Sequence, residues 1–69
     1  MERAPVDSSA ITSVGYDASR QTLELEYVDG DVYQYFEVPK ALRQALLDAP
    51  SIGQFVNTEI KAPFRYEKL

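Results

Sequence analysis

Apolar and polar residues alternate with a period of two in the first half of the chain, the pattern typical of half-buried β-strands. The alternation is cleanest in Leu23–Tyr27, and β-branched and aromatic residues in Ile11–Tyr16 predict a strand before it. Asp31–Val38 predicts a third strand, and Asp29-Gly30 predicts the turn leading into it, because glycine readily accepts a positive φ. We therefore expect three consecutive antiparallel strands.

The second half of the chain has a period near 3.6 residues, which predicts two helices. The apolar stripe of the first helix consists of Leu42, Ala45, Leu46 and Ala49. Pro50 ends this helix, and the spacing of Ser51 and Gln54 is that of a capping box, which predicts a new helix start. The apolar stripe of the second helix consists of Ile52, Phe55, Val56 and Ile60. Ala62-Pro63 ends that helix.

A run of strands followed by a run of helices indicates an α+β fold. We expect a three-stranded antiparallel β-meander followed by two helices packing on one face, since so small a sheet needs such a cover. Residues 1–8 are expected to form a flexible lead-in, and residues 9–69 a single domain that ends in a short extended tail. In this arrangement an outer strand of the meander lies at a sheet edge and offers unpaired backbone groups to a partner.

Three residue types that carry much enzyme chemistry are missing, since the 69 residues include no cysteine, histidine or tryptophan. Their absence excludes disulfides, cysteine or serine–histidine nucleophiles and the usual zinc sites. We expect no cofactor and no metal. The chain also has no apolar run long enough to cross a membrane and no signal-peptide pattern at its start, so we expect a cytoplasmic protein with no membrane partner.

The remaining candidates for catalysis or metal binding are weak. Glu24 and Glu26 point to one face of a strand and could form an acid–base pair, but alternating glutamates are more typical of a solvated strand face. Asp29-Gly30-Asp31 begins like a calcium loop, yet Tyr33 and Gln34 occupy positions where that loop needs a ligand and a glycine. We therefore expect a non-enzymatic protein.

Charge is unevenly distributed along the chain, whose net charge is −4 and whose pI is near 4.5. Residues 61–69 carry three basic side chains and one acidic one, whereas the first sixty residues carry four basic and ten acidic ones. Lys61, Arg65 and Lys68 alternate with Phe64 and Tyr66, a mixture that suits nucleic-acid contact. The same pattern also fits a closing segment whose aromatic rings pack on the core.

Tyr33 and Tyr35 lie in the third strand, and the preceding loop decides which way they point. A two-residue loop places both rings on the face that carries Glu24 and Glu26, where the carboxylates repel phosphate. A three-residue loop places them on the core face, as packing residues whose hydroxyls reach polar partners. The sequence leaves both registers open, with packing favoured over exposed base-stacking platforms.

Several short motifs give the chain a family resemblance when they are taken in order. They are Ser8-Ser9-Ala10-Ile11, Val14-Gly15-Tyr16-Asp17, Leu23-x-Leu25-x-Tyr27, Gly30, Tyr33-x-Tyr35, Val38-Pro39, Ser51-x-Gly53 and Ile60. This set resembles the KTSC domain, a short module named after the C-terminus of some lysyl-tRNA synthetases and also found as stand-alone bacterial proteins. The resemblance implies no established activity. By association with tRNA synthetases it implies RNA binding, with Tyr33 and Tyr35 as the stacking residues.

Two hypotheses for function follow. The first is an RNA-associated module that binds single-stranded RNA or tRNA through Tyr33, Tyr35, Lys61, Arg65 and Lys68. The second is a protein-interaction module, or a homodimer, that uses a sheet edge or the aromatic strand face. The first predicts binding that falls steeply with salt, and the second predicts a partner or a concentration-dependent mass.

Overall fold

Five strands form one antiparallel sheet in a computed structural model that describes residues 1–69. The strands are β1 (Arg3–Pro5), β2 (Ile11–Asp17), β3 (Thr22–Tyr27), β4 (Val32–Tyr35) and β5 (Tyr66–Lys68). They are arranged in sequence order, β1-β2-β3-β4-β5. The chain leaves the sheet after β4, forms the helical part, and returns to pair β5 with β4.

The helical part lies between β4 and β5 and begins with α1 (Lys40–Asp48). A four-residue helix, α2 (Ile52–Phe55), then runs into a π-helical segment (Val56–Lys61). The predicted cap is present, because the Ser51 hydroxyl accepts a hydrogen bond from the Gln54 N–H at 3.3 Å. The predicted second helix is therefore confirmed in position but changes its hydrogen-bonding pattern at Val56.

The α+β class is confirmed, but the expected number of three strands is wrong. β1 forms inside residues 1–8, where no secondary structure was expected, and β5 forms inside the predicted tail. These two strands pair with the outer strands of the predicted meander and so occupy both of its edges. Consequently the first and third predicted strands are paired on both sides, and the free sheet edges belong to three-residue strands instead.

The β3–β4 hairpin has a three-residue loop, which resolves the two registers left open by the sequence. Leu25 pairs with Tyr33 and Leu23 pairs with Tyr35. Gly30 closes the loop with a φ of 96°, a conformation that L-residues with a side chain rarely adopt. Both tyrosines therefore lie on the same face of the sheet as the leucines.

β4 ends three residues earlier than the predicted strand, at Tyr35. Glu37 has a φ of 60°, and this left-handed residue turns the chain away from the sheet. The turn places Val38 in the core, where its N–H donates to Gln21 O and its carbonyl accepts from the Tyr16 hydroxyl at 2.6 Å. Pro39 then caps α1.

The core lies between one face of the sheet and the helices, as predicted for helices packing on one face. Its nine buried residues are Ile11, Val14, Leu23, Leu25, Tyr35, Val38, Leu46, Val56 and Ile60. We call this side of the sheet the helix-side face. The other side, the polar face, carries Arg3, Ser13, Glu24, Glu26 and Gln34, which are linked to one another by hydrogen bonds and ion pairs.

Candidate functional site

Four tyrosines meet on the helix-side face where β3, β4 and β5 lie side by side. Tyr33 is central, with its ring 5.3 Å from that of Tyr27, 6.3 Å from that of Tyr35 and 5.6 Å from that of Tyr66. The antiparallel pairing creates this grouping, because Tyr35 lies opposite Tyr66 and next-but-one to Tyr33. Ring separations of this size are those of favourable aromatic pairs.

Two of the four tyrosines serve mainly as structure. Tyr35 is only 2% exposed, and its hydroxyl shares a hydrogen bond of 2.7 Å with that of Tyr27. Burial raises the pKa of Tyr27 above its usual range, and the hydrogen bond with Tyr35 acts in the same direction. Burial also raises the pKa of Tyr35, which outweighs the opposite effect of the Tyr27 hydroxyl. Both phenols are therefore held neutral.

The other two tyrosines are accessible. Tyr33 is half-buried, and Tyr66 is 59% exposed. Together with the inner pair they surround a cavity of about 360 Å³, a volume within the range of small-molecule sites. We call this cavity the tyrosine pocket; it is lined by Tyr27, Asp29, Asp31, Tyr33, Tyr35, Lys61 and Tyr66.

Charged side chains of both signs reach the tyrosine pocket. The π-helical segment buries Ile60 in the core and sends the next residue, Lys61, over the Tyr27 ring, with the ammonium 5.1 Å from the ring centre. This distance is that of a cation–π contact. Asp31 lies on the β4 side and pairs with Lys68 at 3.3 Å between Nζ and Oδ2. Lys61 has no carboxylate within ion-pair distance.

A second depression adjoins the tyrosine pocket and shares Lys61 and Tyr66 with it. This basic groove has a volume of about 660 Å³ and is lined by Phe36, Lys61, Ala62, Pro63, Phe64, Arg65 and Tyr66. The Arg65 guanidinium lies 5.9 Å from the centre of the Phe36 ring and forms no ion pair. The groove therefore combines two unpaired cations with aromatic rings.

The five residues proposed from the sequence meet in this one region. Tyr33, Tyr35 and Lys61 line the tyrosine pocket, Arg65 lines the basic groove, and Lys68 is held at the pocket rim by Asp31. Because Tyr35 is buried, its ring forms part of the pocket wall and has no open face on which a base could stack. Their role in binding stays a prediction.

Four further lining residues were not among those proposed: Tyr27, Asp29, Asp31 and Tyr66. The sequence predicts Tyr27 at the end of one strand, Asp29 in the turn and Asp31 at the start of the next strand. In the structure Asp29 lies in the three-residue loop, and the Tyr27 N–H donates to Asp31 O across its base. Tyr66 reaches the tyrosine pocket because β5 pairs with β4. β5 has only three residues, too few to show an alternating pattern in the sequence. The position of Tyr66 within the alternating basic and aromatic tail was the one available signal.

The glutamate pair lies on the polar face, away from the tyrosine pocket. Glu24 is buried and forms an ion pair with Arg3, and its Oε1 accepts a hydrogen bond from Gln34 at 2.9 Å. Burial raises the pKa of Glu24, but the hydrogen bonds from Gln34 and Arg3 and the charge of Arg3 outweigh it and lower the pKa overall. A general acid at neutral pH requires the opposite shift.

Two other features bear on ligand classes. No three acidic side chains converge in a way that could hold a metal ion. None of the helices has the length and apolar character needed to cross a membrane.

Several known proteins are similar to this chain. A protein of Tsukamurella paurometabola is 48% identical, over 88% of this chain and 91% of its own length. An uncharacterized protein of Stutzerimonas stutzeri is 40% identical over all of this chain and 99% of its own. A lysine–tRNA ligase of Nostoc punctiforme is 41% identical over 91% of this chain, a match that spans only 11% of the ligase. Similar sequences thus occur both alone and as a small part of a large enzyme.

The fold is also shared with a solved structure. The crystal structure of a KTSC domain protein from Yersinia pestis superposes with a TM-score of 0.92 at 39% identity, covering 99% of this chain and 96% of that one. The family model of the KTSC domain matches residues 7–66, which include every strand of the predicted meander and all of the helical part. The resemblance drawn from the sequence motifs is confirmed, and the chain belongs to the KTSC domain family.

Proposed function

We propose that this KTSC domain is a non-enzymatic, cytoplasmic module that binds single-stranded RNA. The observation that supports it most is the junction of the tyrosine pocket with the basic groove. Accessible rings of Tyr33 and Tyr66 lie beside the unpaired cations of Lys61 and Arg65. Aromatic rings that stack bases, next to cations that meet phosphates, are the combination used by single-strand binders. A related sequence within a lysine–tRNA ligase is consistent with a role near RNA.

The acidic net charge of −4 does not oppose this proposal at the site itself. Binding depends on the local arrangement of charge, and the basic groove has two free cations, Lys61 and Arg65. With only two free cations in the groove, few phosphate contacts can form, so the affinity should be modest and should fall less steeply with salt than the sequence led us to expect. Two neutralised phosphates on a single strand give about a sevenfold loss of affinity between 50 and 200 mM salt.

The test is an amide NMR titration with mixed-sequence single-stranded RNA at these two salt concentrations. We expect shifts at Tyr33, Tyr66 and residues 61–68, with the affinity falling about sevenfold at the higher salt. An unchanged spectrum at 50 mM salt rejects the proposal and favours the protein-interaction hypothesis. Light scattering over a range of concentrations would then test for a dimer.

Matched variants separate the contributions of rings and charges. Tyr66→Ala is expected to weaken binding about tenfold, because base–ring stacking contributes roughly 1–3 kcal/mol. Lys61→Gln is expected to reduce the salt effect from about sevenfold to about threefold, since one phosphate contact is lost. Lys40→Gln, at an exposed lysine of α1 outside both depressions, is the control and leaves both quantities unchanged. Equal effects of Lys61→Gln and Lys40→Gln would contradict the assignment of the groove.

A further inference from the structure

The two aspartates of the tyrosine pocket each keep one carboxylate oxygen free. Asp29 Oδ1 accepts the Asp31 N–H at 3.0 Å, and Asp31 Oδ2 pairs with Lys68. No hydrogen bond or ion pair within the chain involves Asp29 Oδ2 or Asp31 Oδ1. An ionised carboxylate accepts hydrogen bonds and donates none. The wall of the pocket therefore offers acceptors to a ligand that carries N–H donors.

The positions of the charged side chains favour one orientation of a bound nucleotide. Carboxylates repel phosphate, so the aspartate side of the tyrosine pocket is unsuited to the RNA backbone. Lys61 and Arg65 line the adjoining basic groove, which contains no carboxylate. A nucleotide that satisfies both regions places its phosphate in the groove and its base against the accessible tyrosines, with the base edge toward Asp29 and Asp31.

The RNA bases differ in the hydrogen-bond donors and acceptors that they direct toward the two aspartates. Guanine carries two adjacent donors on its Watson–Crick edge, N1–H and the N2 amino group. These donors match the two oxygens of one carboxylate, because an oxygen that already accepts one hydrogen bond keeps a second lone pair. Uracil presents a single N–H between two carbonyl acceptors, and the carbonyls are repelled by a carboxylate. Protein side chains read unpaired RNA bases along this edge while stacking on their faces.

We propose that the tyrosine pocket selects guanine, which stacks on Tyr33 or Tyr66 and donates its N1–H and N2 amino groups to Asp29 or Asp31. The inference rests on the proposed RNA-binding function and adds its base preference. It also explains why an RNA site contains acids, since they face the base and not the phosphate. Lys61 lies over the Tyr27 ring and lines both depressions, so it is placed to meet the phosphate of the same nucleotide.

The test compares three RNA hexamers, UUUGUU, UUUIUU and UUUUUU, where I is inosine. Inosine differs from guanosine only by the missing N2 amino group, so the first pair isolates one donor. We expect UUUGUU to bind about tenfold more tightly than UUUIUU, the size typical of one well-placed base contact, and UUUUUU to bind most weakly. Equal affinity for all three hexamers overturns guanine selection and leaves RNA binding intact. No binding of any hexamer overturns both proposals.

Carboxylate-to-amide variants identify the acceptor. Asp29→Asn and Asp31→Asn each retain a carbonyl oxygen, so the turn hydrogen bond from the Asp31 N–H can persist. The variant that removes the acceptor is expected to bind UUUGUU no more tightly than UUUIUU, while its affinity for UUUUUU is not reduced. Asp48→Asn, at an exposed carboxylate of α1, is the control and keeps the tenfold preference. If both pocket variants retain that preference, the aspartates do not read the base and the proposal is wrong.

Discussion

The two faces of the sheet use polar side chains in opposite ways. On the polar face, Glu24 is paired with Arg3 and Gln34, and the Ser13 hydroxyl accepts from Arg3 Nε at 3.0 Å and donates to Glu26 Oε1 at 2.9 Å. On the helix-side face, the tyrosine pocket leaves a cation and carboxylate oxygens without partners, and the adjoining basic groove adds the unpaired Arg65. The side chains of the polar face pair with one another and hold β1 to the sheet. The unpaired groups around the tyrosine pocket are available to a ligand.

The largest effect is expected for the tyrosines of the helix-side face, where a structural ring can be compared with an accessible one. Tyr35→Ala removes a ring that is 2% exposed and should reduce the free energy of unfolding by about 4 kcal/mol. Tyr66→Ala removes a ring that is 59% exposed and should cost about 0.5 kcal/mol. Urea denaturation at pH 7 measures both. Similar losses for the two variants would contradict the division into structural and accessible rings.

Removing Arg3 tests whether the polar face is purely structural. Arg3→Ala leaves the buried Glu24 carboxylate without its cation and should cost about 2 kcal/mol in unfolding free energy. RNA affinity of the folded variant should not change, because Arg3 lines neither depression. Arg20→Ala is the control, since that exposed side chain meets Asp17 only at 4.0 Å and should cost little. A loss of RNA binding by folded Arg3→Ala would show that the two faces are not independent.

Gly15 tests the close approach of β1 to the polar face. A Cβ at this position would lie 2.6 Å from Glu2 O and 2.9 Å from Arg3 Cγ, so β1 would have to shift. Gly15→Ala should cost about 1.5 kcal/mol. The double variant Gly15→Ala/Arg3→Ala should cost less than the sum of the single losses, because both act by loosening β1. Strict additivity in urea denaturation would refute this shared cause.

The smallest expected effect is the pH dependence contributed by Glu24. Its pKa in the folded protein is lower than the ordinary 4.5, so its contribution to stability is present above pH 4.5 and is lost as the pH falls through the folded-state value. Wild type should therefore lose more stability between pH 7 and pH 3 than Glu24→Gln, although the variant starts lower. Urea denaturation at the two pH values gives both slopes. Parallel slopes would show that the carboxylate is not stabilised by Arg3 and Gln34.

The sequence predicts the parts of the fold that have long periodic patterns. Leu23–Tyr27 and the stripe around Leu46 are examples, since apolar residues at every second or every third to fourth position leave a repeated signal in the sequence. β1 and β5 have three exposed residues each, so no such pattern exists in them. Their pairing depends on neighbours that are distant along the chain.

The candidate site is harder to predict because it depends on the conformation of Gly30 in the hairpin loop and on the pairing of β5, a short strand at the end of the chain. A loop of three residues, closed by Gly30 at positive φ, turns Tyr33 and Tyr35 to the helix-side face. The same sequence also suited a two-residue turn, which reverses every side chain that follows. The alternating basic and aromatic residues of the tail are visible in the sequence, but only the pairing of β4 with β5 shows that Tyr66 lies opposite Tyr35.

The position of β5 has a consequence for how the protein assembles and opens. β2, β3 and β4 follow one another through short turns, so their contacts close small loops. The β4–β5 contact closes a much longer loop that contains the whole helical part, and we expect it to form later. A three-residue edge strand of this kind is expected to exchange its amide hydrogens early, through local opening rather than global unfolding. Since Tyr66 belongs to that strand, the candidate site is complete only while β5 is docked on β4, and an occupant of the tyrosine pocket would slow the release of β5.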